Sequence, residues 1–217
     1  MSDSYPVTPR TQHRRIKERG SHERELVHSI LDEGLLCHVG FTGQEGPVVI
    51  PMAYARDGER LLLHGSAGSR LVRELQRGAT ICVTVTILDG LVLARSLFHH
   101  SMNYRSVVIF GKPREVTDAD EKMRALEVIT EHVVHGRWVD ARPPNDAEFN
   151  GTTVLALAID ETSAKTRTGP PGDDEEDYEL PFWAGVVPVT TTFGAPIPDP
   201  RLTDGIDPPG YVTDYRR

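Results

Sequence analysis

The sequence predicts a mainly β protein, an antiparallel β-barrel with a few helices at its margins. Six or seven short apolar or β-branched segments follow one another with short links, as in locally connected antiparallel strands. An Asp-Gly pair at residues 57–58 stands between two of these segments, which is a strong hairpin signal. The sequence lacks the alternation of strand and helix that a parallel nucleotide-binding sheet requires. A small antiparallel sheet removes its edges by closing into a barrel.

The first predicted element is a short amphipathic helix over residues 22–33, with Leu26 and Ile30 on its apolar face. Gly34 is expected to end this helix in the left-handed conformation, which glycine adopts without steric cost. Residues 1–20 form a basic arm with few apolar anchors. Such an arm is ordered only where it docks on another surface.

Two further helices are indicated by capping residues. The first covers residues 69–78, with Ser66 or Ser69 as the N-cap. The second follows Asp118, and Glu121 stands three residues later as in a capping box. Single strands are predicted over residues 35–41, 47–55, 60–65 and 152–164. Residues 80–96 are predicted to form two strands around an Asp-Gly turn. Residues 104–116 are predicted to form one strand with a bend near Gly111 and Pro113.

The chain divides into three predicted parts: the arm (1–20), one domain (21–190) and a proline-rich tail (191–217). From residue 169 onward the sequence is acidic and rich in proline, so this part cannot build a core of its own. Residues 182–189, which include Trp183, are apolar and are expected to dock on the domain.

Bulk properties exclude several classes of protein. The 217 residues carry a net charge of −8, which argues against nucleic acid as the main partner. Because the sequence has neither a membrane-spanning apolar run nor a signal-like N-terminus, we expect a cytoplasmic protein without a membrane partner. The two cysteines, Cys37 and Cys82, lie in apolar strand segments and are interpreted as reduced core thiols.

The segment HGSAGSRL, which begins at His64, ends one predicted strand with small and hydroxylated residues. Backbone amides and the start of a helix favour anions, and Arg70 would add a bidentate partner for phosphate. The alternative is structural: Gly65 turns the chain and Ser69 caps the helix.

The segment SMNYRSV carries Asn103, Tyr104 and Arg105 into the next strand. An arginine within an apolar sheet is costly unless it is paired. A phosphate bound at the end of the 60–65 strand would satisfy Arg105. A structural ion pair with a carboxylate is the alternative.

The histidines do not form a metal-binding pattern. His132 and His135, and the adjacent His99 and His100, lack the accompanying ligand spacing of a zinc site, so no metal site is predicted. His64 lies in the proposed pocket and could donate a proton to a substrate or serve as structure. The sequence has no nucleophile elbow and no phosphate-binding loop. A cofactor with its own reactivity therefore fits better than unaided side chains.

These segments, over residues 48–116, together with RWVDARPP (137–144) and the stretch 161–188, resemble the pyridoxamine 5′-phosphate oxidase-like proteins. The similarity extends from about residue 12 to 190 and points to the branch that contains nitroimidazole-resistance proteins. It implies a split β-barrel, a homodimer, FMN at the dimer interface, and oxidoreductase activity on a small molecule such as a nitroaromatic compound.

The resemblance also assigns roles to residues. His64 becomes the candidate catalytic histidine beside the flavin, and the isoalloxazine ring is expected along one strand, with Lys165, Arg167 and Trp183 closing the pocket, in part from the other subunit. The complete set of expected cofactor-binding residues is Pro51, Met52, Ala53, Tyr54, Gly65, Ser66, Ser69, Arg70, Asn103, Tyr104, Arg105, Lys165, Arg167 and Trp183.

One departure from the family pattern stands out. The basic C-terminal substrate motif of true pyridoxamine-phosphate oxidases is missing, since the chain ends in GYVTDYRR. Because the family also includes proteins that bind haem or a deazaflavin, a flavin- or haem-binding carrier or sensor without turnover is the alternative function.

Overall fold

The structure is a computed structural model that describes residues 3–216, so residues 1–2 of the predicted arm and residue 217 of the tail lie outside the described residues. The helices are α1 (Arg24–Glu33), α2 (Arg70–Gln76), α3 (Ala119–Val133), α4 (Asp146–Gly151) and α5 (Gly210–Thr213). The strands are β1 (Gly20–Ser21), β2 (Leu36–Gly43), β3 (Gly46–Asp57), β4 (Arg60–Ser66), β5 (Ile81–Leu93), β6 (Ser101–Gly111), β7 (Arg114–Glu115), β8 (Thr152–Ala158), β9 (Glu161–Arg167) and β10 (Gly185–Pro188).

The described strands pair antiparallel in the order β1-β9-β6-β5-β2-β3-β4-β8-β7, and β10 adds to the end of β5. β3 joins two halves of this sheet, because its first part pairs with β2 and its last residues, from Tyr54 to Asp57, pair with β4. Both halves enclose one apolar core, whose fully buried members include Val39, Leu61, Val83, Ile109 and Leu157. The predicted mainly β, antiparallel split barrel is confirmed.

A second, smaller apolar cluster joins α3 to the outside of the β3-β4-β8 half. Leu62 and Val154 from the sheet pack against Ala125 and Ile129 of the helix. α3 therefore lies over β4 and leaves a groove beside the end of that strand. Within residues 3–216, no helix is long and apolar enough to cross a membrane.

The helix predicted over residues 22–33 is present as α1, and its residues Val27, Ile30 and Leu31 are fully buried. The left-handed cap expected at Gly34 is wrong, since this residue has φ −69° and ψ 146°. Glycine is needed there for space instead: a Cβ atom would lie 2.6 Å from the Tyr54 hydroxyl.

The two other predicted helices are confirmed, with their caps. Ser69 Oγ accepts a hydrogen bond from the Val72 amide, and Asp118 accepts one from the Glu121 amide. Glu121 does not close a capping box, because its carboxylate pairs with Arg60 on β4 and with Arg114 on β7.

The prediction of two strands within residues 80–96 is wrong, because β5 is one continuous strand with a bulge between Leu88 and Gly90. β6 pairs along its whole length, so the Asp-Gly pair forms an irregularity and not a hairpin turn. Gly90 lies beneath β10, where a Cβ atom would approach Val186 Cγ1 to 2.9 Å.

The single strand predicted over residues 152–164 is also two strands. β8 pairs with β4, and β9 pairs with β6 on the other half of the barrel. The chain crosses between them at Ile159, whose amide donates to the Glu59 carbonyl at 2.9 Å. The break is therefore set by barrel closure and has no local turn signal.

Both chain ends dock on the barrel. In the N-terminal arm, Tyr5 and Thr11 are buried, and Arg10 pairs with Glu161 on β9. In the tail, the Tyr215 hydroxyl donates to the Val133 carbonyl at the end of α3. The docking predicted for residues 182–189 is confirmed for Gly185–Pro188, which pair with β5 as β10, whereas Phe182 and Trp183 are exposed. The division at residues 20/21 and 190/191 stays a prediction.

Candidate functional site

His64 lies at the end of β4 and opens into a groove between the sheet and α3. This His64 groove has two adjoining parts of about 520 and about 300 Å³, within the range of small-molecule and cofactor sites. Both parts share His64 and Arg137. The groove is also lined by Ala53, Leu126, Ile129, Val133, Trp138, Arg142, Glu148 and Thr152.

The His64 side chain is chemically unusual for a residue in a sheet. Its Nδ1 atom is buried and has no hydrogen-bond partner. Burial lowers the pKa of His64 from its ordinary value, so the ring is neutral at neutral pH. A neutral imidazole beside apolar walls can ligate a metal ion or exchange a hydrogen bond with a bound molecule.

The HGSAGSRL turn adjoins this groove, because Ser66 pairs with Thr152, which lines it. Ser69 acts as the helix cap, as the structural alternative proposed. Arg70 is half-exposed and lies 3.6 Å from the exposed carboxylate of Glu45. A phosphate at Ser66, Ser69 and Arg70 stays a prediction.

Alternate residues of the strand segment Pro51–Tyr54 point to opposite faces of β3, and only one face is available to a ligand. Pro51 is exposed on the outside of the barrel, and Ala53 lines the His64 groove. Met52 packs against the core, and Tyr54 is fully buried with its hydroxyl donating to the Leu31 carbonyl at 2.7 Å. Tyr54 could therefore contact a ligand only through its backbone, while Met52 is partly buried.

A second group of predicted residues meets where β6 and β9 run side by side. Asn103 accepts a hydrogen bond from the Arg167 guanidinium and donates one to the Gly169 carbonyl at 3.1 Å. Tyr104 pairs with Arg167 in register, and Lys165 stands two residues earlier on the same face of β9. The structure thus brings Asn103, Tyr104, Lys165 and Arg167 together.

Arg105 points away from this group. Its guanidinium forms ion pairs with Glu33 at the end of α1 and with Asp89 at the β5 bulge. The carboxylate alternative is therefore confirmed, and Arg105 does not need a phosphate to satisfy its charge. A contact of Arg105 with a cofactor stays a prediction. These hydrogen bonds raise the pKa of Arg105 further. Sequence could not identify the partners, because they lie 72 and 16 positions away.

The outside of the barrel joins the two groups. Directly paired residues point to the same face of a sheet, and Pro51, His38, Thr84, Val108 and Ser163 form one cross-strand row. This outward face of strands β3, β2, β5, β6 and β9 therefore carries Ala53 at one side and both Lys165 and Arg167 at the other, four strand spacings of about 4.8 Å apart. Large apolar side chains are exposed on it at Leu36, Val49, Leu88 and Met102.

Trp183 precedes β10 and is not drawn into either group. Its side chain is 68% exposed, and its ring lies beside Gly185, which pairs with Leu93 on β5. The segment before it is anchored by Asp173, whose buried carboxylate accepts hydrogen bonds from the Arg95 and Ser96 amides. A contact of Trp183 with a cofactor stays a prediction.

Sequence reasoning missed Arg137, Trp138 and Arg142 as lining residues of the His64 groove. The available signal was the cationic and aromatic segment RWVDARPP directly after Gly136. Its fold position follows from Gly136, which turns the chain with φ 86°. Among residues 3–216, no group of three or more His, Cys, Asp or Glu side chains could hold a metal ion.

Comparison with known proteins identifies the family to which the chain is similar. Residues 23–166 match the family model described as pyridoxamine 5′-phosphate oxidase. A solved flavocytochrome, Anf3 from Azotobacter vinelandii, is 38% identical, with a TM-score of 0.92 over 96% of this chain and 97% of that one. A protein from Mycobacterium smegmatis described as binding FAD and haem is also 38% identical, with a TM-score of 0.86 over 90% of this chain and 96% of that one.

A more distant match is named as a candidate 5-nitroimidazole antibiotic resistance protein from Bacteroides thetaiotaomicron. It is 26% identical, with a TM-score of 0.58 over 67% of this chain and 85% of the other. A search of functionally curated proteins finds no match.

Proposed function

The chain belongs to the pyridoxamine 5′-phosphate oxidase family, and from this premise we propose that it is a redox protein that binds a flavin on its outward face and a haem in the His64 groove. The observation that carries the proposal is the neutral His64 ring, with a buried and unpartnered Nδ1, beside a groove of cofactor size. Two relatives of 38% identity, one named a flavocytochrome and one an FAD- and haem-binding protein, support it.

The residues of the His64 groove fit a haem. A single histidine is a common protein ligand of haem iron, and the depressed pKa of His64 keeps the ring unprotonated for that role. Leu126, Ile129 and Val133 provide apolar contact for the macrocycle. Arg137 lies in the same groove and is suited to a haem carboxylate, whereas Arg142 is already paired with Glu148 at the groove wall.

The outward face fits a flavin nucleotide. Pro51 and Ala53 leave an open strand surface for a flat ring, while Lys165 and Arg167 supply positive charge. Ser66, Ser69 and Arg70 remain proposed phosphate ligands by family resemblance. The sequence-based proposal is FMN. The relative named for FAD supports FAD instead, and the mass of the released nucleotide distinguishes the two.

A bound flavin would supply electron or hydride exchange, and a bound haem would supply one-electron chemistry. The chain's own residues perform the binding and positioning. Leu126, Ile129 and Val133 would give a bound ring system apolar contact, and His64 offers a lone pair without first losing a proton. The exposed apolar side chains of the outward face, Val49 among them, support a homodimer that would cover the flavin.

Reduction of a small molecule, including a nitroaromatic compound, is the proposed activity. Family membership and the 26% identical relative support it. A carrier or sensor without turnover is the alternative, and anaerobic reduction followed by addition of a nitroaromatic acceptor separates the two. Reoxidation by the acceptor with product release supports the reductase, and an unchanged reduced spectrum supports the carrier.

The visible absorption spectrum of the purified protein tests the cofactor proposal. We expect a flavin band and a haem Soret band in one preparation, and a haem spectrum that shifts on reduction. A colourless protein that takes up neither added flavin nor added haemin would contradict the proposal.

A further inference from the structure

Arg167 is a buried arginine without a negatively charged partner among residues 3–216. The residue is 9% exposed, and its guanidinium contacts only neutral groups: the Asn103 side chain and the carbonyls of Gly169 and Pro170. Its Nε atom is buried without any hydrogen-bond partner. Burial of a charged guanidinium without a counter-ion is energetically unfavourable, and a bound anion would compensate for it.

Two other cations stand beside Arg167. Lys165 lies two residues earlier on β9 and pairs in register with Gly20 of β1, so the neighbouring Arg19 is held at the same edge. Burial and the proximity of Arg19 lower the pKa of Arg167 from its ordinary value. Among the described residues, no ion pair involves Arg19, Lys165 or Arg167, although the protein has a net charge of −8.

The N-terminal arm supplies another unsatisfied group at this edge. His13 Nε2 is buried without a partner, and the His13 ring packs on Gly20, where a Cβ atom would come within 2.0 Å of it. Burial lowers the pKa of His13 most, followed by the neighbouring His22 and then Lys165. Two orphaned nitrogens and three unpaired cations therefore lie around one edge of the sheet.

We propose that Arg19, Lys165 and Arg167, here named the Arg167 cluster, bind a phosphate or diphosphate group of a nucleotide. Arginine forms bidentate hydrogen bonds to phosphate oxygens, and several cations together match their charge. The arm thus becomes part of the binding site, through Arg19. The phosphate belongs either to the flavin of the proposed function, in which case this cluster replaces Ser66, Ser69 and Arg70 as the flavin phosphate site, or to a second nucleotide. The proposal rests on the proposed function only for the first of these sources.

Calorimetric titration with sodium pyrophosphate tests this proposal on the full chain, both as purified and after removal of bound pigment. We expect binding that weakens about tenfold or more in Arg19→Gln and in Arg167→Gln, the loss expected for one charge-assisted hydrogen bond. Arg124→Gln is the matched control, because Arg124 is exposed on α3. It is expected to bind pyrophosphate as the unmodified protein does.

The two forms of the protein separate the sources. Binding only after pigment removal assigns the site to the flavin's own phosphate, and binding to both forms assigns it to a second nucleotide. Absence of binding in both forms, or equal affinities of Arg19→Gln and the Arg124→Gln control, would overturn the proposal. Because Arg19 is only half-buried, Arg19→Gln is expected to fold. Its affinity for pyrophosphate therefore tests the proposal even if Arg167→Gln does not fold. The titration measures pyrophosphate binding and does not require flavin. A protein that binds neither flavin nor haem would contradict the proposed function and could still bind pyrophosphate at the Arg167 cluster.

Discussion

The Tyr5 hydroxyl donates a hydrogen bond of 2.8 Å to Glu59 Oε2, across 54 positions of sequence. The same hydroxyl lies 2.8 Å from His28 Nε2 of α1, and the Arg24 guanidinium lies over the Tyr5 ring. Burial and the neighbouring Glu59 carboxylate raise the pKa of Tyr5. Tyr5 therefore fastens the N-terminal arm to the turn between β3 and β4 and to α1.

Tyr5→Phe is expected to destabilise the protein by about 1–3 kcal/mol, because it leaves Glu59 without one of its hydrogen bonds while the ring stays in place. Denaturant unfolding measures the change. Tyr178→Phe, at an exposed position, is the control and is expected to change stability little. Equal stabilities of the Tyr5→Phe variant and the unmodified protein would show that the fastening is unimportant.

Gly34→Ala is expected to destabilise the protein by about 1–3 kcal/mol through overpacking. The new methyl group would lie 2.6 Å from both the Tyr54 hydroxyl and Val85 Cγ1. Gly172→Ala is the control, since a Cβ atom there has no neighbour within 4 Å. Thermal unfolding compares the two variants, and a Gly34→Ala midpoint no lower than that of the control would refute the steric explanation.

Glu121→Gln is expected to lower stability at neutral pH and to have little effect in acid. Hydrogen bonds from Arg114 and then Arg60 lower the pKa of Glu121 to about 2. Because the folded-state pKa lies below the unfolded one, the carboxylate stabilises the protein above about pH 4.5 and loses this effect as the pH falls towards 2. Unfolding curves between pH 7 and pH 3 measure the difference.

Glu127→Gln on the same helix provides the comparison, because Glu127 is exposed. It should change stability by a small amount that is independent of pH. A constant difference between Glu121→Gln and the unmodified protein across this pH range would contradict the linkage.

Val49→Glu tests the proposed homodimer. Val49 is 65% exposed on the outward face, and a buried, unpaired carboxylate at an interface is strongly unfavourable. Light scattering should give the mass of a dimer for the unmodified protein and of a monomer for Val49→Glu. Ile197→Glu, in the exposed tail, should stay dimeric. An unchanged mass for Val49→Glu would place the interface elsewhere.

Local signals in the sequence predicted the structure where local forces decide it. The caps at Ser69 and Asp118 and the apolar face of α1 were predicted correctly, since each depends on neighbours within one or two helical turns. The continuity of β5 and the break after β8 depend on strands that pair from distant parts of the chain. Short-range pattern does not contain that information.

The candidate site shows the same division. Sequence pattern drew attention to His64 and Arg105, because both are polar residues in apolar strands. It could not tell that Arg105 pairs with two carboxylates while His64 Nδ1 has no hydrogen-bond partner. Nor could it show that Arg137 faces the same groove as His64, since α3 brings the two together.

The ratio of haem to flavin in purified His64→Ala measures the central claim most directly. His135→Ala is the matched control, because His135 is an exposed histidine that pairs with Glu131 outside the His64 groove. The account predicts that the unmodified protein and His135→Ala contain both cofactors, and that His64→Ala retains flavin and loses haem. A haem-to-flavin ratio in His64→Ala equal to that of the unmodified protein would contradict it.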